Sequence, residues 1–261
     1  MGSLRTFDGA VALITGGASG IGRAFGEELA RRGAEVVLSD VQTKLVEQTA
    51  EAIRAAGGRA TAATLDVRDA AAVEAHVAAT AARTGRLDYV FANAGVGVFG
   101  EVHLLDRKDW DLIVDVNLHG LLHTVRAAYP RLVAQGFGHL VNVASVAGLL
   151  PVPFLTAYAT TKHAVVGLTR SAGVEWAPLG VRVNAVGPGY VDAGVLSAAI
   201  ASGALDPAQV LERIPAGRLA DPDEIGAMVS FLASPAAAYV NGQVFYVDGG
   251  FLADYGVRVQ R

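Results

Sequence analysis

Seven short apolar runs alternate with helix-length segments from one end of the chain to the other, and this alternation limits the fold more than any single motif. The runs are Val11 to Thr15, Glu35 to Ser39, Ala60 to Leu65, Leu87 to Ala92, Leu140 to Ala144, Val181 to Val186 and Gln243 to Val247. They are short, continuous and in several cases valine-rich, as parallel strands covered on both faces should be. Arg23 to Arg32, Gln42 to Ala56, Asp69 to Thr84 and Ala157 to Trp176 are the clearest helices between them, with Gly33, Gly57 and Gly85 as stops. The alanine-rich stretch from Ala70 to Ala82 fits this pattern as helix, alanine having the best propensity. The pattern predicts an α/β fold, a doubly wound parallel seven-stranded sheet with helices on both faces, Rossmann-like, in one domain over residues 1–261. One region breaks it. Residues 188–215 carry three glycines, three prolines and a weakly helical patch, Val195 to Ile200. A connection of that length is expected to act as a substrate lid.

Composition removes several classes of function. The chain has 261 residues, 18% of them charged, enough apolar material for a large core. No apolar run reaches the roughly 18 residues that would span a bilayer. Met1 to Asp8 is polar and lacks a signal-peptide core, so a cytoplasmic location is expected. Cysteine is absent, which removes disulfides and thiolate metal sites. A net charge of −4 without a basic block argues against nucleic acid. His119 and His123 have the i, i+4 spacing a metal could use, but no H-E-x-x-H is present, and no metal site is expected. Trp110 and Trp176 are read as packing anchors.

Two features point to a nucleotide. Gly16 follows the first strand directly, and Ser19, Gly20, Ile21 and Gly22 lead into a helix. Glycine there permits positive φ and close backbone approach, while a helix N-terminus attracts a pyrophosphate. The spacing is G-x-x-x-G-x-G, not G-x-G-x-x-G, so alone it also fits a plain structural turn. Asp40 ends the second run, where an acid should meet the adenosine ribose hydroxyls. It would repel a 2′-phosphate, and neither Gly17 nor Val41 is a cation that could compensate. NAD is therefore expected over NADP. The competing reading is that Asp40 caps the following helix.

Chemistry is suggested further on. Tyr158 and Lys162 lie four residues apart and share a face if the stretch is helical. A lysine beside a phenol is expected to lower the phenol's pKa towards neutrality, making it an acid-base group. Ser145 closes a strand-like run, which puts its hydroxyl at the strand's carboxyl end, where open α/β sheets bind ligands.

Together, Thr15-Gly-x-x-x-Gly-x-Gly22, Asn93-Ala94-Gly95, Asn117, Ser145, Tyr158-x-x-x-Lys162 and Pro188-Gly189 resemble the short-chain dehydrogenases/reductases, from about Phe7 to Gly250. The resemblance implies that Asn93, Ala94 and Gly95 line the cofactor site and that Asp66 and Val67 contact the adenine. It implies that Asn117 holds a water in a proton relay reaching Lys162, that Ser145 orients the substrate oxygen and that Tyr158 transfers the proton. Lys162 would bind the nicotinamide ribose and tune the tyrosine, and Pro188, Gly189 and Val191 would border the nicotinamide. One departure is visible. Ala193 stands where the family often has a threonine that meets the carboxamide. Tetramers are common in the family, so a homotetramer is expected. The pairing would use a helix from about Asp115 to Gln135, with Leu118, Leu121, Leu122 and Val125, and the Ala157 to Trp176 helix, with Val165, Val166 and Leu168.

These readings predict an NAD-dependent oxidoreductase interconverting a secondary alcohol and a ketone. The candidate substrate walls Val96, Leu149, Phe154, Tyr190, Val195 and Leu196 are mostly apolar, and no arginine is evidently placed to clamp a carboxylate, which favours an uncharged, hydrophobic or cyclic alcohol. The rivals are an NADPH-linked ketoreductase acting on acyl thioesters, which Asp40 opposes, and a non-catalytic cofactor-binding scaffold, which has no need of Asn117, Ser145, Tyr158 and Lys162 together.

Overall fold

In the computed structural model, residues 7–201, 203, 205–254 and 256 are described. The strands are β1 (Val11–Thr15), β2 (Glu35–Asp40), β3 (Arg59–Thr64), β4 (Tyr89–Ala92), β5 (Gly138–Val143), β6 (Val181–Pro188) and β7 (Val244–Val247). The helices are α1 (Gly20–Arg31), α2 (Thr43–Ala55), α3 (Ala70–Thr84), α4 (Arg107–Val114), α5 (Leu121–Gln135), α6 (Thr156–Trp176), α7 (Gly194–Ala201), α8 (Pro207–Arg213) and α9 (Pro222–Ala233). The strands form one sheet in the order β3-β2-β1-β4-β5-β6-β7, and every pair is parallel.

Side chains of one strand alternate between two cores, which is why the runs are apolar without interruption. Ala12 and Ile14 of β1 join a cluster with Phe25 and Leu29 of α1, Ile53 of α2 and Ile225 and Leu232 of α9. Val11 and Leu13 join the opposite cluster, with Val77 of α3, Leu121 and Leu132 of α5 and Val165 and Trp176 of α6. Trp176 is buried against Tyr129, ring centroids 4.8 Å apart, so it is the packing anchor expected.

Three boundaries depart from expectation. First, α1 begins at Gly20 rather than Arg23, because its first turn is made of the glycines themselves. Second, α4 was not foreseen. It runs through a π-helical turn, Asp115–Gly120, straight into α5. Third, the stripe proposed for subunit pairing lies largely inside the protomer, since Leu121, Val125, Val165 and Val166 are buried in the core.

The chain after β1 winds to β2 and β3 on one side, and the chain after β3 returns to β4 on the other. The winding reverses at the carboxyl ends of β1 and β4, the place where such sheets leave a crevice for ligand.

Candidate active site

At that crevice Thr15 pairs with Ala92, so the residues just past them, Gly16 and Asn93, lie side by side. The Asn93 amide donates to the carbonyls of Thr15 (3.0 Å) and Gly16 (2.9 Å), and its backbone N–H donates to the Thr15 hydroxyl at 3.2 Å. Asn93 thus ties the two strand ends together and fixes the turn. Gly16 and Gly20 have φ of +68° and +52°. A Cβ on Gly22 would fall 2.1 Å from the Gly16 carbonyl oxygen and 2.5 Å from the Asn93 amide nitrogen. No side chain fits there without opening the turn. Asp69, Asp206 and Asp221 cap the first turns of α3, α8 and α9, whereas α1 has no side-chain cap and no acidic residue in its first turn. Its free N–H groups and a turn without side chains suit a pyrophosphate, so a dinucleotide fits this cradle.

A cavity of about 660 Å³ extends from the cradle in both directions. On the β2–β3 side it is lined by Asp40, Val41, Asp66, Val67 and Arg68. The Asp40 carboxylate accepts from the backbone N–H of Ala18 (3.2 Å) and of Gln42 (3.0 Å), and Gln42 is the N-cap of α2. Asp40 therefore braces both the glycine turn and the start of α2 while it lines the cavity. The Arg68 guanidinium grips Asp66 through Nε and Nη2 at 2.6–3.0 Å and holds its carboxyl below the usual carboxylate range. Sequence reasoning missed Arg68. A spacing of two residues on no regular element gave no signal that it would turn into the cavity.

On the β5–β6 side the lining includes Ser145, Tyr158, Lys162, Pro188, Gly189 and Val191. Ser145 follows β5 and caps a short turn, its oxygen accepting from the Ala147 N–H at 3.1 Å. Tyr158 and Lys162 lie on one face of α6 as the spacing predicts, with the ammonium 5.4 Å from the ring centroid. The electrostatics run against expectation. Burial raises the Tyr158 phenol above its ordinary value, and a hydrogen bond with Ser145 offsets this only in part. The Lys162 ammonium is engaged by the Val143 carbonyl at 2.7 Å, and burial lowers its own pKa to about 8. Loss of solvent outweighs the neighbouring cation.

Asn117 sits in the π turn and is fully buried. Its amide clamps Val96 from both sides, accepting from the Val96 N–H and donating to the Val96 carbonyl, each at 2.8 Å, and it also donates to the Thr161 hydroxyl at 3.3 Å. The side chain thus holds the segment after β4 against α6. A Cβ on Gly95 would lie 3.4 Å from Asn117 Oδ1 and 3.7 Å from Lys162 Nζ, so only a small residue leaves these groups as they are. Ala94 and Gly95 line the cavity. Ala193 also lines it, and its methyl lies 3.1 Å from where a Cβ on Gly20 would be, against the glycine turn.

Of the candidate substrate walls, Val96, Phe154, Tyr190 and Leu196 line the cavity. Leu149 does not. It closes the turn after Ser145 and is 52% exposed, which corrects the expectation. The Val195 side chain lies outside the described residues. Phe99, Leu112 and Leu205 complete the apolar lining and were not foreseen, since they come from irregular segments and an unrecognised helix. His119 pairs with Asp115 at 3.0 Å and His123 with the Val67 carbonyl at 2.9 Å, so the two rings serve separate local contacts.

A seven-stranded parallel sheet, a glycine cradle at its switch point and a serine, tyrosine and lysine around one cavity define a nicotinamide-dependent oxidoreductase of the single-sheet type. The chain belongs to the short-chain dehydrogenase/reductase family. Residues 16–252 match the family model described as enoyl-(acyl carrier protein) reductase. Oxidoreductase UcpA of Escherichia coli (strain K12) is 40% identical over 93% of this chain and 94% of its own length. Cis-4-hydroxycyclohexanecarboxylate dehydrogenase of Sinomonas cyclohexanicum is 40% identical (93% and 96%) and cyclohexanol dehydrogenase of Acinetobacter sp. (strain SE19) 34% identical (94% and 96%). Among solved structures, a protein assigned as an NAD(P)-dependent gluconate 5-dehydrogenase from Beutenbergia cavernae, with NADP bound at low occupancy, superposes with a TM-score of 0.90. It is 38% identical and covers 97% of this chain and 100% of that one.

Proposed function

We propose that this protein is an NAD(H)-dependent dehydrogenase interconverting a secondary alcohol and a ketone. A bound nicotinamide would supply the hydride acceptor or donor. Gly16, Ser19, Gly20, Ile21 and Gly22 would hold the pyrophosphate, Asp40 the adenosine ribose, Asp66 and Val67 the adenine, and Pro188, Gly189 and Val191 the nicotinamide. Tyr158 takes the hydroxyl proton in oxidation and returns one to the carbonyl in reduction. Ser145 holds the same substrate oxygen, Lys162 orients the nicotinamide ribose, and Asn117 keeps Val96 and the proton path in place. Cyclohexanol and hydroxycyclohexanecarboxylate dehydrogenases among the relatives support the alcohol class. Cytoplasmic residence belongs to the same reading, and no helix among the described residues is long and apolar enough to cross a membrane.

The observation that carries the choice of cofactor is the Asp40 carboxylate, braced by the Ala18 and Gln42 N–H groups at the cavity wall. A 2′-phosphate beside it would place two negative groups together in a partly desolvated site. Arg68 lines the same end, but its guanidinium is engaged by Asp66. NAD is expected to exceed NADP in kcat/KM by at least about tenfold, roughly 1.4 kcal/mol, and Asp40→Ala should narrow that gap at some loss of NAD affinity. Steady-state kinetics with both cofactors measure it. Equal efficiency in the unmodified protein would move the NADPH-linked ketoreductase to first place, a reading that the NADP-bound neighbour favours.

We further propose a homotetramer. With the predicted stripe buried, pairing would use the outward surfaces of α5 and α6, where Tyr129 and Val174 are exposed. Light scattering should give four times the protomer mass, and a monomer at micromolar concentration would exclude the assembly.

A further inference from the structure

The distribution of charge along the cavity says what its catalytic end accepts. Among the described residues, every acid and every guanidinium that lines it, Asp40, Asp66 and Arg68, lies on the β2–β3 side. Beyond Tyr158 the walls are Val96, Phe99, Leu112, Val152, Leu196 and Leu205. The one cation lining that end among the described residues is Lys162, and it is engaged by the Val143 carbonyl. Arg213, a guanidinium outside the lining, stacks on Phe251 at 5.6 Å, and Phe251 in turn packs edge-on against Tyr190. It sits behind that layer of rings and does not line the cavity. A carboxylate brought to this end would lose its hydration and, among the described residues, meet no guanidinium.

Phe154 closes the same end in an unusual way. Its φ of +63° makes it the one non-glycine residue with positive φ among the described residues. A bulky L residue rarely takes that conformation unless its surroundings hold it there. Here its carbonyl accepts from the Gly100 N–H at 2.8 Å, tying the segment after β4 to the segment before α6. The ring lines the cavity and is 57% exposed, so it stands at the mouth rather than in the core. The backbone conformation sets where the ring stands, and the ring limits the room left for substrate.

Resting on the dehydrogenase reading above, we infer that the substrate is an uncharged, apolar cyclic alcohol or its ketone, and that Phe154 is the specificity-determining wall that sets its size. The relative that oxidises cis-4-hydroxycyclohexanecarboxylate acts on a ring bearing a carboxylate. Among the described residues, the catalytic end of this cavity offers that group no guanidinium.

The test uses the full chain with NAD+ and four alcohols: cyclohexanol, 4-methylcyclohexanol, cis-4-hydroxycyclohexanecarboxylate and 4-tert-butylcyclohexanol. The methyl compound should exceed the carboxylate in kcat/KM by at least about a hundredfold, since the two differ chiefly in charge. In Phe154→Ala the ratio of the tert-butyl compound to cyclohexanol should rise about tenfold. Phe154→Gly should give the same shift, because glycine takes this φ without strain. A gain seen in the alanine variant but not in the glycine variant would reflect backbone disturbance and defeat the assignment of the wall. A carboxylate used as well as the methyl compound would overturn the substrate class and leave the dehydrogenase reading intact. Failure to oxidise any secondary alcohol, charged or neutral, with either dinucleotide would overturn both.

Discussion

Tyr158→Phe is expected to lower turnover by about two to four decades while leaving dinucleotide binding largely unchanged. The substitution removes one hydroxyl from a half-buried ring and keeps the ring, so packing in the first turns of α6 survives. What it takes away is a transferable proton that is hydrogen-bonded with the Ser145 hydroxyl. The pH dependence carries the same test. In the proposed mechanism oxidation would use the phenolate and reduction the phenol. Because burial raises the Tyr158 pKa, the free protein at neutral pH holds the phenol. The kcat/KM for oxidation should therefore climb as pH rises towards that pKa, and the kcat/KM for reduction should fall over the same range. Both limbs should vanish in the phenylalanine variant. Near-normal turnover by that variant would rule out Tyr158 as the proton carrier.

The second large effect is expected from Lys162→Met: a fall in turnover of about two decades or more together with weaker NAD binding, because in the proposed mechanism one ammonium would serve both tasks. Stability should respond differently, and this separates chemistry from folding. The folded-state pKa of Lys162 is depressed from 10.5 to about 8 by burial, so at neutral pH the protein carries a charge that the unfolded chain solvates better. That cost is relieved as pH rises from about 8 to 10.5, where the folded state releases its proton before the unfolded state does. The unmodified protein should gain stability over the methionine variant across that window. The lost hydrogen bond to Val143 acts in the opposite sense and is independent of the window. Thermal melting at several pH values measures the difference, and kinetics measure the rest. Unchanged turnover with an unmoved pH profile would refute the coupling.

How much of this could be read from residues alone varies with the physics involved. The strands are buried on both faces, so their continuous apolar runs reproduce the observed elements to within about two residues, Val11–Thr15 without error. Tyr158 and Lys162 were legible because helical periodicity converts a spacing of four into a shared face. The start of α1 was missed for a local reason. Glycine is a poor helix former, yet Gly20 and Gly22 form its first turn, Gly20 because its φ is positive and Gly22 because nothing larger fits beside Gly16 and Asn93. The π turn had no signature in Asp115–Gly120, since one extra residue per turn leaves the composition ordinary. The balance at Tyr158 was misjudged because proximity to a lysine is visible in sequence and desolvation is not. Arg68, Phe99 and Leu205 depend on where irregular chain comes to rest, which tertiary contacts decide.

The bond between Asn93 and the first strand has a meaning for how the molecule is made. Its partners, Thr15 and Gly16, lie 78 and 77 residues earlier in the chain, and β1 cannot pair with β4 until everything between has been synthesised and gathered. During translation, then, the first βαβ unit leaves the ribosome before Asn93 can tie its glycine turn, and the turn is braced only when the fourth strand arrives. Loop closure over such a distance is slow and costs chain entropy before any contact rewards it. A dinucleotide that bound only the closed arrangement would, at high concentration, shift the balance towards the finished fold by mass action. The nucleotide would thus act as a late checkpoint on maturation as well as a reactant.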